Sequence, residues 1–173
     1  MTVPYSSYEA AVIDYAIAML CGAATFRTLV GAADAAAARG RVIEFDGGDP
    51  AEAGSDKAIA ADGSSFTIAP PYAQVAAMQF PTDDEVAIGW TKRTGDVLIA
   101  VVLPPTAGHK PPERPRNALN LLGAIRDEIE AQFGQAGKLA NGHVELELKP
   151  IPDGAGASRG TMSGLLTIHW RNH

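Results

Sequence analysis

Asn117 to Phe133, NALNLLGAIRDEIEAQF, is the stretch from which the rest of this 173-residue chain can be read. Leu121, Leu122, Ile125, Ile129 and Phe133 recur at three- and four-residue steps, which gathers them into one stripe of a helix. Arg126, Asp127, Glu128 and Glu130 fall on the rest of the circumference. Asn117 is placed to cap the first turn through its side-chain oxygen, and Gly134 and Gly137 offer a left-handed stop. A helix with one apolar stripe needs something flat to cover. Four segments supply it: VAIGWTKR (86–93) and DVLIAVVL (96–103) before the helix, HVELELKPI (143–151) and TMSGLLTIHW (161–170) after it. The expected fold is therefore α+β, a mainly antiparallel sheet covered by an N-terminal helix and one long helix at about 117–133.

One domain suffices for this length, and it can bury about two thirds of its unfolded surface. The apolar share of 46% and charged share of 20% are those of an ordinary globular protein. A single cysteine, Cys21, excludes an internal disulfide framework and fits a reducing compartment. It lies in an apolar helical stretch, where a buried, inert thiol is expected. Glu9 and Asp14 interrupt the N-terminal apolar run, no basic segment precedes it, and Tyr15 to Phe26 is too short to span a bilayer. Neither a standard secretion signal nor a membrane span is expected.

The net charge of −6 argues against general affinity for nucleic acid. It is unevenly spread, with −8 on residues 1–90 and +2 on residues 91–173. Such asymmetry lets copies meet head to tail, acidic face on basic face, and is equally compatible with drift.

Along the chain, Ser6 and Glu9 form a capping box, so a helix should start near Ser7 and end at Gly22, with Val12, Tyr15, Ala16, Met19 and Leu20 on its apolar face. Thr25 to Gly31 suits a short second helical turn, and Asp34 to Arg39 is alanine-rich and helix-prone. Arg41 to Asp46 has strand composition. Gly47 to Ser65 is expected to be a long loop or arm within the single domain, followed by a weak strand near Phe66 to Ile68. Gln74 to Phe80 suits a strand, Thr82 to Glu85 a solvated acidic turn, and Val86 to Trp90 a half-buried strand. Arg93 to Asp96 is expected to turn the chain into Val97 to Leu103, which is apolar on both faces like a central strand. Pro104 to Arg116, with five prolines, is expected to be a stiff, non-helical connector rather than a ligand for aromatic grooves. Asn141-Gly142 suits a turn. Val144, Leu146 and Leu148 then alternate with Glu145, Glu147 and Lys149. In the last strand Met162, Gly164, Leu166, Ile168 and Trp170 share one face.

Little in this chain points to catalysis. Gly154, Gly156 and Gly160 open a strand, whereas a dinucleotide fingerprint opens a helix and a P-loop needs a following Lys and Ser or Thr. His169 and His173 have a metal-like spacing, but on a strand that spacing does not place both on one helix face. His109 and His143 stand apart from them in sequence. No Ser occupies a nucleophile elbow, Cys21 has no adjacent electropositive residues, and Glu128 and Glu130 point to different faces. A non-enzyme without metal or cofactor is expected. A small soluble α+β ligand-binding protein, or an activity built from residues distant in sequence, is the alternative.

The order of parts runs from a helix ending near CGAATFRTLVGA (21–32), through an acidic arm and the segment VAIGWTKRTGDVLIAVVL (86–103), to the helix NLLGAIRDEIEAQF (120–133) and a closing strand LLTIHW (165–170). This layout resembles the tail terminator and tail-completion (neck) proteins of long-tailed bacteriophages and phage-like particles. The resemblance spans nearly the whole chain. It implies a sandwich of helices on a sheet, and a ring, typically a hexamer, that caps the tail tube and joins it to the head connector or stopper. It also implies a structural role without a cofactor, a place in the tail neck after assembly in the host cytoplasm, and genomic DNA passing through the lumen without specific binding. The segment 92–116 carries Lys92, Arg93, Lys110, Arg114 and Arg116 against only Asp96 and Glu113, a net +3. With Asp49, Glu52 and Asp56 of the acidic half, these are the residues expected at an interface between subunits or with a tail neighbour.

Gly47 to Ser65 has too few apolar groups to fold alone. Hydrogen exchange on the isolated subunit and on the assembly should find it fast in the first and protected in the second. Fast exchange in both would reduce it to a surface insertion.

Overall fold

The computed structural model describes residues 8–44, 57–59, 65–67, 71–79, 82–87, 90–103, 114–136, 138–150 and 162–172. Among the described residues four helices, α1 (Tyr8–Gly22), α2 (Ala24–Val30), α3 (Ala35–Arg39) and α4 (Arg114–Glu130), accompany eight strands. The strands are β1 (Val42–Glu44), β2 (Lys57–Ile59), β3 (Ser65–Thr67), β4 (Tyr72–Gln79), β5 (Thr82–Ala87), β6 (Trp90–Leu103), β7 (Asn141–Pro150) and β8 (Met162–Asn172). The main sheet has the order β1-β4-β6-β8-β7, with β5 paired to the first part of β6. All its pairings are antiparallel except β1 with β4. The fold is α+β, as expected.

The core lies between the helices and one face of the sheet. Val97, Ile99, Val101 and Leu103 of β6 and Leu166, Ile168 and Trp170 of β8 join Leu122, Ile125 and Ile129 of α4 in a single apolar cluster. The α4 stripe behaves as its spacing dictates: those three side chains are fully buried, and Leu121 and Phe133 pack at the margin with Leu146. Burying the three is worth roughly 5–9 kcal/mol at the usual value per side chain, on the order of a domain's entire net stability. Val12, Ala16, Met19 and Leu20 of α1 are equally buried, whereas Tyr15, expected among them, is 37% exposed. The inward face of α1 turns instead toward Ile17 and Cys21, both 3% exposed.

Alternate residues of β6 point to the opposite face. There Leu98 and Ala100 cluster with Leu165, and Val102 with Tyr72. The expectation of a central strand buried on both sides holds.

Several local expectations are corrected. α4 begins at Arg114, so Asn117 lies inside the helix and the end of the proline-rich connector is helical. Pro115 explains it: in a first turn its missing N–H costs nothing and its fixed φ already suits a helix. The stop at Gly134 is as expected, with φ 78° and its N–H donated to Leu139 O at 2.8 Å. The turn expected at Arg93 to Asp96 does not form. Arg93, Thr94, Gly95 and Asp96 run straight within β6, each opposite a residue of β8 from Asn172 to His169. The neighbouring strand satisfies backbone groups that a local reading would assign to a turn. Thr82 to Glu85, expected as a turn, instead begins β5, where Asp83 stands opposite Lys92. Ala87 stands opposite Trp90, so the hairpin pairs β5 with the start of β6; residues 88–89 lie outside the described residues. Asn141-Gly142 opens β7 rather than turning the chain, opposite Arg171 and Trp170. The weak strand expected near Phe66 to Ile68 forms as Ser65–Thr67, and within the stretch expected as an arm Lys57–Ile59 pairs with it as a two-stranded sheet. The rest of that stretch, 47–56 and 60–64, lies outside the described residues.

Replacing Ile125 with Ala should cost roughly 2–5 kcal/mol, because the side chain is fully buried and the close-packed surround cannot collapse onto the cavity. An unchanged denaturation midpoint would remove α4 from the core.

Candidate functional site

The helix direction is fixed by two glycines of the sheet. A Cβ on Gly164 would collide with the Leu122 side chain, and one on Gly142 would sit 2.8 Å from the Phe133 ring and 2.6 Å from His169 O. The start of α4 therefore lies at the Leu103 and Met162 end of the sheet, and its finish at the Gly95 and Trp170 end. This divides the basic residues expected at an interface. Arg114 and Arg116 open α4 at the first end, with Arg116 exposed. Lys92 and Arg93 stand at the second, Arg93 opposite both Thr82 and Asn172. The strand rise puts the two groups about 30 Å apart, so they form two patches rather than one. Lys110, Asp49, Glu52 and Asp56 lie outside the described residues.

α4 is pinned by polar groups that the helical wheel assigns to solvent. The Glu128 carboxylate accepts the Thr25 N–H at 2.9 Å and its hydroxyl at 2.6 Å. It thus supplies the negative cap that Ala23, the N-cap residue of α2, cannot offer. Glu130 accepts the Val144 N–H at 2.9 Å and ties α4 to β7. Gln132 donates to Met19 O at 2.9 Å, and Lys138 to Ala18 O at 2.8 Å, so both serve the carbonyl end of α1.

On the sheet face away from the helices, three strands place Asp96, His169 and His143 in one cross-strand row. His169 Nδ1 lies 2.7 Å from Asp96 Oδ1. The imidazoles of His169 and His143 stack with centroids 4.6 Å apart and planes 22° apart. Glu145, two residues along β7, reaches both: its carboxylate lies 3.5 Å from His169 Nε2 and 3.9 Å from His143 Nε2. His143 and Glu145 are 56% and 70% exposed at the side chain, and His169 is 28% exposed. The His169–His173 spacing weighed in the sequence is not what assembles this group. Residues 26 apart do, through strand pairing, and the only signal in the sequence is that His143 and His169 each sit in a strand.

Cys21 is buried, as expected. The expectation that nothing electropositive stands near it is corrected: Arg39 and Lys138 both favour its thiolate. Burial outweighs them and pushes the thiol up. Burial likewise pushes the Lys138 ammonium down.

No family model matches this chain, and no curated protein matches it. Among solved structures it is similar to a chain from the virion of a native gene transfer agent particle. The TM-score is 0.51 at 13% identity, with 96% of this chain and 98% of that chain covered. The two folds therefore correspond end to end.

Because the Cys21 thiol is raised, the folded chain keeps it neutral while the unfolded chain ionises above about pH 8.5. Any contribution from Cys21 is complete below that value and is lost as pH rises from there through the raised value of the folded chain. In native protein a thiol reagent at pH 8 should modify Cys21 only as fast as the chain opens. Stoichiometric reaction within seconds would show that the thiol is accessible.

Proposed function

We propose that this chain is a structural protein of a virion that forms a homo-oligomeric ring, a hexamer, which caps the tail tube and joins it to the head connector. The observation that carries the reading is the end-to-end correspondence with a virion chain. The layout resemblance to tail terminators agrees with it. The role is one of assembly, without catalysis or cofactor, in the tail neck.

Two separated basic patches suit a subunit that meets partners at both ends of its sheet. Lys92 and Arg93 would face the acidic half of the next copy, with Asp49, Glu52 and Asp56 as counterparts. Arg114, Arg116 and Lys110 would face that copy's other side or a tail neighbour. The net charge of −6 suits a lumen through which DNA slides without being held.

Native mass spectrometry of the purified chain, alone and with tail tubes, tests the reading. A hexamer or a concentration-dependent ring is expected. Reversing Lys92 and Arg93 to Glu should abolish it, and reversing Asp49, Glu52 and Asp56 to Lys should restore it. A strict monomer at every concentration that does not bind tail tubes would overturn the ring, and an undisturbed ring in the reversed variant would overturn the interface.

A further inference from the structure

The cross-strand histidines lack one thing that their surroundings call for. Asp96 accepts the Nδ1 proton of His169, which leaves a lone pair on Nε2 in the neutral ring. That Nε2 atom is buried and, among the described residues, has no hydrogen-bond partner. What it faces, 3.5 Å away, is the Glu145 carboxylate, another acceptor. Two acceptors confronting each other need a cation between them. The second imidazole, His143, presents its own Nε2 to the same carboxylate.

We infer that His143, Glu145 and His169 bind a divalent transition cation on the open face of the sheet. The donor set, two imidazoles and one carboxylate, suits a borderline ion such as Zn²⁺ rather than Ca²⁺ or Mg²⁺, which take oxygen ligands. The three ligand atoms lie within 4.8 Å of one another. A tetrahedral zinc site requires about 3.4 Å between ligands, from metal–ligand distances near 2.1 Å. Exposed His143 and Glu145 side chains can close that difference by rotation, while His169 stays held by Asp96. Asp96 is then a positioning residue: it fixes the tautomer that turns Nε2 toward the metal, as carboxylates behind metal-bound histidines do. Three protein ligands leave a further position for water. The site stands apart from the proposed ring, so Zn²⁺ binding and oligomeric state are read independently.

The test is isothermal titration of the untagged full-length chain with Zn²⁺ alone at neutral pH. One Zn²⁺ per chain is expected, with affinity lowered at least tenfold by His143→Ala and by Glu145→Gln. Both positions are exposed, so both variants should keep the parent's denaturation midpoint. As a readout independent of variants, Co²⁺ should broaden the ring resonances of His143 and His169 before those of His109 and His173. Absence of saturable Zn²⁺ binding would overturn the site. Binding that survives both substitutions, or broadening that begins at His109 or His173, would overturn it equally.

Discussion

The structure depends on β6. Its residues from Val97 to Leu103 are buried on both faces, so none of their backbone groups can turn to water for a partner. An unpaired buried N–H or C=O costs on the order of 1–3 kcal/mol, and a strand this long could not be buried alone. It is paired along one edge with β4 and β5 and along the other with β8. The remaining elements fill places around it. α4 covers the β6–β8 face, β7 extends the sheet beyond β8, and α1 and α2 complete the helical layer over the same core.

The helical layer is held in register by polar contacts as well as by apolar burial. The apolar stripe of α4 gives most of the energy but little directional information, because Leu and Ile side chains tolerate small slides. Glu128 on Thr25, Glu130 on Val144 and Gln132 on Met19 each fix one point. A hydrogen bond to a charged group contributes roughly 1.5–3 kcal/mol, less than the buried stripe, but it tolerates far less displacement. The break between α1 and α2, a bend of 76°, is stabilised at the same place: Glu128 serves the start of α2 while Gln132 and Lys138 serve the end of α1. No single described helix is long and apolar enough to cross a membrane.

The two sheet faces have different work. The helical face is closed by side chains of α1, α2 and α4. The opposite face carries the small apolar clusters around Leu98 and Tyr72 and, toward the Trp170 end, the polar row of Asp96, His169, His143 and Glu145. The ends of the sheet differ again, one bearing the start of α4 and the other the start of β6.

Periodicity alone determined much of this. The stripe of α4, the double burial of Val97 to Leu103, the faces of β8 and the stop at Gly134 follow from local spacing and from the steric freedom of glycine, and each was legible without tertiary information. What the chain could not reveal locally was decided by partners distant in sequence. Arg93 to Asp96 has the composition of a turn, yet it is extended because β8 pairs with it. Thr82 to Glu85 does the same because Lys92 and Arg93 stand opposite. Glu128 and Glu130 look like solvent-facing charges on a helical wheel, and the wheel cannot show that α2 and β7 bring N–H donors to them. The polar row on the outer face was least legible of all. Strand pairing sets side by side residues that lie 26 and 73 positions apart, and no spacing along the chain encodes which strand will be the neighbour.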